Sequence, residues 1–340
     1  MRITGRLSTT ISVARALALV SIVSAHALFV SQTPQAFVSF YSKLGTVGVA
    51  AYFMISGFLY FPKNYAGFGK MLKNKARSIG IPWLVLGSVG YLYNAFGNKS
   101  FSAAAYLEFM LGKNSYLYFL TMLFFCFVVC YFVNSKLVLL AFAALSVLSL
   151  ELTAFGVLQP VIAALHITNY LNIFNWLGFF AFGRLVQTIN ADRIFQFLKT
   201  TRVAFLALFV VLLVVFLITG VNTTYFSFVG WGYELIGAMA IFGAATYPAL
   251  NNRVFKKVSN DSFSVYLIHL MVISLLNKAC FKLFSLFPPL QLIQNLLVIA
   301  VSVLLIELAL LLARALKLNR LAGAVFAVKA QQAVAPNKNQ

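Results

Sequence analysis

Ten runs of mostly apolar residues, each close to the length of a membrane-crossing helix, recur along this 340-residue chain. They fall at 11–30, 45–61, 79–96, 116–133, 137–155, 171–188, 203–219, 233–250, 262–280 and 291–313. About 20 apolar residues in a helix span the hydrocarbon of a bilayer. Composition agrees: 62% of residues are hydrophobic, 9% are charged, and the mean hydropathy is +0.92. An ordinary soluble domain is roughly half apolar and a quarter charged. One globule of this size cannot bury the excess, which excludes a soluble enzyme, a disordered chain and a disulfide-stapled secreted domain. Backbone groups in lipid must be satisfied internally, and the strand alternation of a membrane barrel is absent. The expected fold is all-α, a polytopic membrane protein of about ten transmembrane helices. Two further stretches fit less well. Residues 156–170, with Gly156, Pro160 and His166, are apolar but broken and suit an interfacial or re-entrant piece. Residues 98–114 suit packing against the membrane.

Charge sets the orientation. The 26 Lys and Arg against 6 Asp and Glu leave a net +20, which in a soluble protein would suggest nucleic acid. With both termini in the cytoplasm, 21 of the 26 basic residues fall on the cytoplasmic side. Lys43, Lys99, Lys113, Lys278 and Lys282 make up the rest. Cytoplasmic loops of membrane proteins carry such an excess, so both termini are expected inside and no nucleic-acid partner is needed. Ala25-His26-Ala27 imitates a signal-peptide cleavage site. Arg15 interrupts the approach to it, however, and removal would spoil the even number of spans, so retention is expected. Residues 1–318 read as one transmembrane domain and 319–340 as a short, weakly ordered, basic and polar cytoplasmic tail. No internal repeat is visible, which counts against common transporter architectures. Cys126, Cys130 and Cys280 lack the spacing of a disulfide framework or a zinc site, and no metal is expected.

Ionisable groups inside spans are costly and tend to mark function. The first span carries Arg15 and His26. Eleven residues at 100° each bring them to one face, about 16 Å apart along the axis. Arg15 at the inner mouth suits a phosphate, through its fork of donors. His26, deeper, can take and release a proton near neutral pH. A snorkelling Arg and a His tied to a carbonyl is the plain structural alternative. The second span holds Ser56-Gly57, a small pair that permits close helix approach. A basic loop from Lys63 to Arg77, including Lys73 and Lys75, then leads to Ile81-Pro82-Trp83. The ninth span places Tyr266 one turn before His269. Glu151, Glu234 and Glu307 lie in or at spans, and each is a candidate to orient a histidine.

These residues resemble the acyltransferase type 3 family, integral membrane O-acyltransferases many of which acetylate bacterial surface sugars. Arg15 followed by ten residues and His26 resembles its first-helix motif, and Tyr52-Phe53-Met54-Ile55-Ser56-Gly57-Phe58-Leu59 its second. Arg77 with Ile81-Pro82-Trp83 is similar to the start of its third helix, and Tyr116-Leu117-Tyr118-Phe119-Leu120 to a weaker version of its aromatic motif. Tyr266-Leu267-Ile268-His269 resembles its late motif closely. Three positions depart: Ser12 and Ala50 stand where many members have an acid, and no His lies near Ser115.

The resemblance implies transfer of an acetyl group from cytoplasmic acetyl-CoA to a hydroxyl of a surface polysaccharide or lipid-linked sugar, in a bacterial inner membrane. It implies CoA phosphates near Arg15, Lys73, Lys75 and Arg77. His26 is implied as general base or acyl carrier, with Tyr266, His269 and Ser56 shaping the site. The appended hydrolase-like domain of some members is not present, so transfer would finish in the membrane domain or with a separate polysaccharide-assembly protein. Two other classes fit ten spans: a transporter or flippase of a lipid-linked sugar or small molecule, and a non-catalytic scaffold of a polysaccharide assembly complex.

Overall fold

The computed structural model of the protein describes residues 5–326 apart from 28–33, 99–100, 114, 222–226, 288–289 and 291–292. Helices make up the fold, and no strand occurs among the described residues. Each of the ten apolar runs contains a helix. They are α1 (Gly5–Ala27), α2 (Gln35–Phe58), α3 (Phe68–Lys75) running into α4 (Ile81–Asn98), α6 (Tyr118–Tyr131), α7 (Lys136–Ala154), α9 (Phe174–Val186), α10 (Ala191–Thr219), α11 (Phe228–Ala244), α12 (Arg253–Leu286) and α13 (Gln294–Ala315). Between them lie the short α5 (Ala103–Leu111) and α8 (Gln159–Ala164), and α14 (Asn319–Val325) follows α13.

Seven of these helices are long and apolar enough to cross a membrane. The other three, α6, α9 and α11, have 14, 13 and 17 residues. At 1.5 Å per residue they reach about 20–26 Å, short of a hydrocarbon core about 30 Å thick. Their surroundings explain why they can stop early. Non-helical backbone is tolerated at membrane depth where protein covers it, and α9 buries Trp176, Leu177, Phe179 and Phe180 against the rest of the bundle. Side chains also take up carbonyls freed at helix ends. Arg184 donates to the carbonyls of Cys130 and Val133 at the end of α6, at 3.1 and 3.2 Å. The Gln187 amide sits against the carbonyls of Gly57, Phe58 and Tyr60 beyond α2.

Helices α1 and α2 lie side by side, with α9, α11 and α12 packed around them. The approach is close. A Cβ at Gly48 would run into the Ala18 carbonyl of α1, and one at Gly57 into the Phe180 carbonyl of α9. The Ser56-Gly57 pair therefore does permit helix contact, as its small size suggests.

The basic segment before the third span is not a loop. From Phe68 it is helical and passes into α4 through one π turn, Ala76–Gly80. There the Ile81 N–H bonds the Ala76 carbonyl, five residues back. Pro82 has no N–H for an ordinary helical bond and its ring crowds the carbonyl four residues earlier, so a widened turn relieves both problems. Residues 156–170 are broken as expected, with α8 followed by a turn in which His166 takes φ 52°. The first residues of the tail are helical. Helix α14 packs on α13 and α4, buries Ala322, and leads to Phe326, whose carbonyl accepts the Ser264 hydroxyl of α12. The remainder of the tail, with Lys329 and Lys338, lies outside the described residues, as do Arg2 and Lys99.

Candidate active site

The site forms where α12 packs along α1. His26, half-buried in the last turn of α1, meets His269 of α12 with ring centroids 5.4 Å apart. His269 is wholly buried. Its Nδ1 lies 2.5 Å from the carbonyl oxygen of Tyr266. A carbonyl only accepts, so Nδ1 carries the proton and Nε2 of the neutral ring keeps a lone pair. That Nε2 is buried with no hydrogen-bond partner among the described residues. A bare imidazole nitrogen beside a second imidazole can accept a proton or pass one on.

Two tyrosines close the pair. The Tyr116 ring stands edge-on to His269 at 5.3 Å, and the Tyr266 ring lies 5.6 Å away. They fix each other across the helix boundary. Tyr116 donates to the Leu267 carbonyl at 2.6 Å, and the Tyr266 hydroxyl donates to the Tyr116 carbonyl. Both phenols thereby spend their protons on backbone, so ring position is held from two directions. Tyr116 was not among the expected site residues. Its signal lay in the aromatic motif, beside the position where a histidine is missing near Ser115.

Aromatic side chains continue from here toward Arg15. Phe119 touches Tyr266 at 5.3 Å and Tyr52 at 6.1 Å, measured between ring centroids. The Tyr52 hydroxyl donates to the Arg15 carbonyl at 3.0 Å and also faces Ser262. Arg15 itself is half-buried on α1. Helical rise puts it about 16 Å below His26, as the sequence spacing implies.

Of the other expected residues, Ser56 lies half-buried one turn from Tyr52 on the same side of α2. Among the described residues its hydroxyl has no hydrogen bond to either histidine. Lys73 and Arg77 are exposed, without a carboxylate partner among the described residues. Lys75 turns inward instead. Its Nζ stands 3.4 Å over the Phe127 ring and 5.3 Å from that of Tyr60, a cation–π contact that binds it to α6.

No carboxylate–histidine hydrogen bond occurs among the contacts of the described carboxylates. Glu151 accepts from the Phe228 N–H and caps α11. Glu307 shares Lys257 with Asp261, the latter at 2.8 Å. Glu234 is buried, with neither oxygen hydrogen-bonded among the described residues. Ala50 is wholly buried. No cluster of three or more His, Cys, Asp or Glu suited to a metal occurs among the described residues.

A family model described as an acyltransferase domain, that of the type 3 acyltransferases, matches residues 9–313, nearly the whole chain. The chain belongs to the acyltransferase type 3 family. No curated protein and no solved structure matches it. This acyltransferase is thus a membrane enzyme, and its family motifs meet in space. The first-helix histidine and the late-motif histidine come from segments more than 240 residues apart, yet their rings touch. The aromatic motif supplies the ring that covers one of them.

Proposed function

We propose that this acyltransferase moves an acetyl group from cytoplasmic acetyl-CoA to a hydroxyl of a cell-surface polysaccharide or lipid-linked sugar. In this reading the chain crosses a bacterial inner membrane ten times, the three shorter helices included, and both termini lie in the cytoplasm. The observation that carries the reading is the contact of His26 with His269, at 5.4 Å between ring centroids. It assembles a proton acceptor within a helical bundle at a fixed distance from Arg15.

The residues present suit the donor. Lys73 and Arg77 are exposed and free of carboxylate partners among the described residues, so they are available to phosphates. Arg15 stands at the start of the aromatic column, and the separation of about 16 Å suits an extended pantetheine arm. Lys75, committed to Phe127, shapes this face rather than holding phosphate. Bound acetyl-CoA supplies a reactive thioester. His26 removes the proton of the acceptor hydroxyl as its oxygen bonds to the acetyl carbon. The carbon–sulfur bond breaks and the proton returns from the imidazole to the departing thiolate. His269, its tautomer set by the Tyr266 carbonyl, holds His26 in orientation and shares the transient charge. Tyr116 and Tyr266 exclude water from the ring pair, and Ser56 lines the approach beside Tyr52.

The test uses purified protein, radiolabelled acetyl-CoA and a crude bacterial surface polysaccharide. Label is expected in the glycan with intact protein and is expected to vanish with His26→Ala. Arg15→Ala is expected to weaken donor binding. Full labelling by a normally folded His26→Ala protein would refute the mechanism.

A further inference from the structure

Beyond His269, α12 continues to Leu286 for nearly five more turns. Leu270, Ile273, Ser274, Asn277, Lys278 and Phe281 line a cavity of about 650 Å³, within the size range of small-molecule sites. Its apolar floor begins in the turn that follows His269, with Leu270 and Ile273. Ile273 sits one turn past His269, and Asn277 one turn past Ile273. Its polar groups are built in rather than scattered. The Tyr93 hydroxyl of α4 donates to Ser274 at 3.0 Å. The Asn277 side-chain carbonyl accepts from Gln294, which leaves its amide hydrogens to donate. Gln294 is wholly buried, and its own carbonyl oxygen has no partner among the described residues. The next residue, Asn295, donates to Ser24 at 2.7 Å, two residues before His26. The first turn of α13 thus ties this cavity to the His26 end of α1.

The charge in the cavity has no carboxylate partner among the described residues. Lys278 stands 5.5 Å from the Tyr93 ring, and Lys282 follows four residues later on the same face. These two lysines lie on the side that the charge bias otherwise leaves poor in cations. All six acidic residues are engaged or placed elsewhere. Glu108 pairs with Lys113, and Glu151 caps α11. Asp261 and Glu307 share Lys257. Glu234 is buried in α11, and Asp192 lies in the first turn of α10.

We propose that this cavity binds the acceptor, with Ser274 and Asn277, backed by Tyr93 and Gln294, holding sugar hydroxyls, and that Lys278 selects an acceptor carrying an anionic group, a sugar carboxylate or a phosphate. The proposal rests on the transfer reading above and adds the side of entry, the contact residues and the charge of the substrate. A free amide, a hydroxyl, an aromatic edge and an unpaired ammonium together match an acidic saccharide better than a neutral one.

The experiment separates a crude surface polysaccharide into neutral and acidic pools by anion exchange and offers each to the intact protein with radiolabelled acetyl-CoA. Label is expected in the acidic pool at least tenfold above the neutral pool. Lys278→Gln is expected to collapse that ratio toward one, and Lys278→Arg to restore it. Chemical reduction of carboxyl groups in one sample and phosphatase treatment of another distinguish the two anions, since only loss of the recognised group abolishes the preference. Equal labelling of the two pools by the intact protein, or an unchanged ratio in Lys278→Gln, would overturn this proposal alone. Absence of label from both pools, with no CoA released, would overturn the transfer reading as well.

Discussion

Helices α1 and α10 are both long enough to cross a membrane, yet they are built on opposite plans. Two thirds of the apolar window of α1 is buried inside the protein, compared with 6% of that of α10, which is the more apolar of the two. In a soluble protein the order would be reversed. Here lipid solvates apolar surface as well as protein does, so hydropathy alone does not mark the core. What marks it is the presence of groups that lipid cannot accept: Arg15, His26, Ser21, Ser24 and the small residues that let α2 approach.

The comparison can be sharpened by substitution. The largest effect is expected at the histidines. His26→Ala and His269→Ala should each lower acetyl transfer by about 10²–10⁴-fold, the usual worth of a general acid–base group. The double variant should be little worse than either single one, because groups acting as a unit are non-additive. Full transfer by a folded His269→Ala protein would leave the ring contact without catalytic meaning. Next comes Gly48→Leu, which forces side-chain atoms against the Ala18 carbonyl. Overpacking of this kind costs about 1–3 kcal/mol or more, and a lower melting temperature in detergent would read it. Arg184→Leu should destabilise by about 1–3 kcal/mol, since it strips the Cys130 and Val133 carbonyls of their donor. The smallest effect belongs to α10. Val211→Leu, on an exposed position, should shift stability by no more than about 0.5 kcal/mol. A large loss there would break the contrast and point to a partner on that face.

Much of this was legible in the chain. The helices, the shared face of Arg15 and His26, and the Tyr266–His269 step all follow from period and spacing, since one helix suffices to relate them. Contacts between helices were not. Nothing in the sequence pairs His26 with His269 rather than with Glu234 or Glu307, because depth and rotation are set by packing. Tyr116 was missed as a site residue for the same reason: its role depends on meeting α12. The shortness of α9 was hidden as well, because an apolar run does not say whether lipid or protein will cover its ends. Arg184 counts in the sequence only toward the cytoplasmic charge excess, yet it caps the end of α6.

The π turn at Ala76–Gly80 carries a consequence for the direction of the exposed basic face of α3. An α-helix advances 100° per residue, and a turn closed five residues back holds one residue more than its neighbours. The extra residue is absorbed there, so the helix on one side keeps its phase with the helix on the other. Removing Ser78 would delete no charge and would leave the net +20 intact. The turn could then close as an ordinary α turn, with Lys70 and Lys73 keeping their direction relative to Leu86 and Ala95, which are buried in the bundle. Removing Leu84, from the regular helix between them, would instead swing both lysines about 100° around the axis. The direction of this basic face is thus a matter of helical phase, and not of how many cations the chain carries.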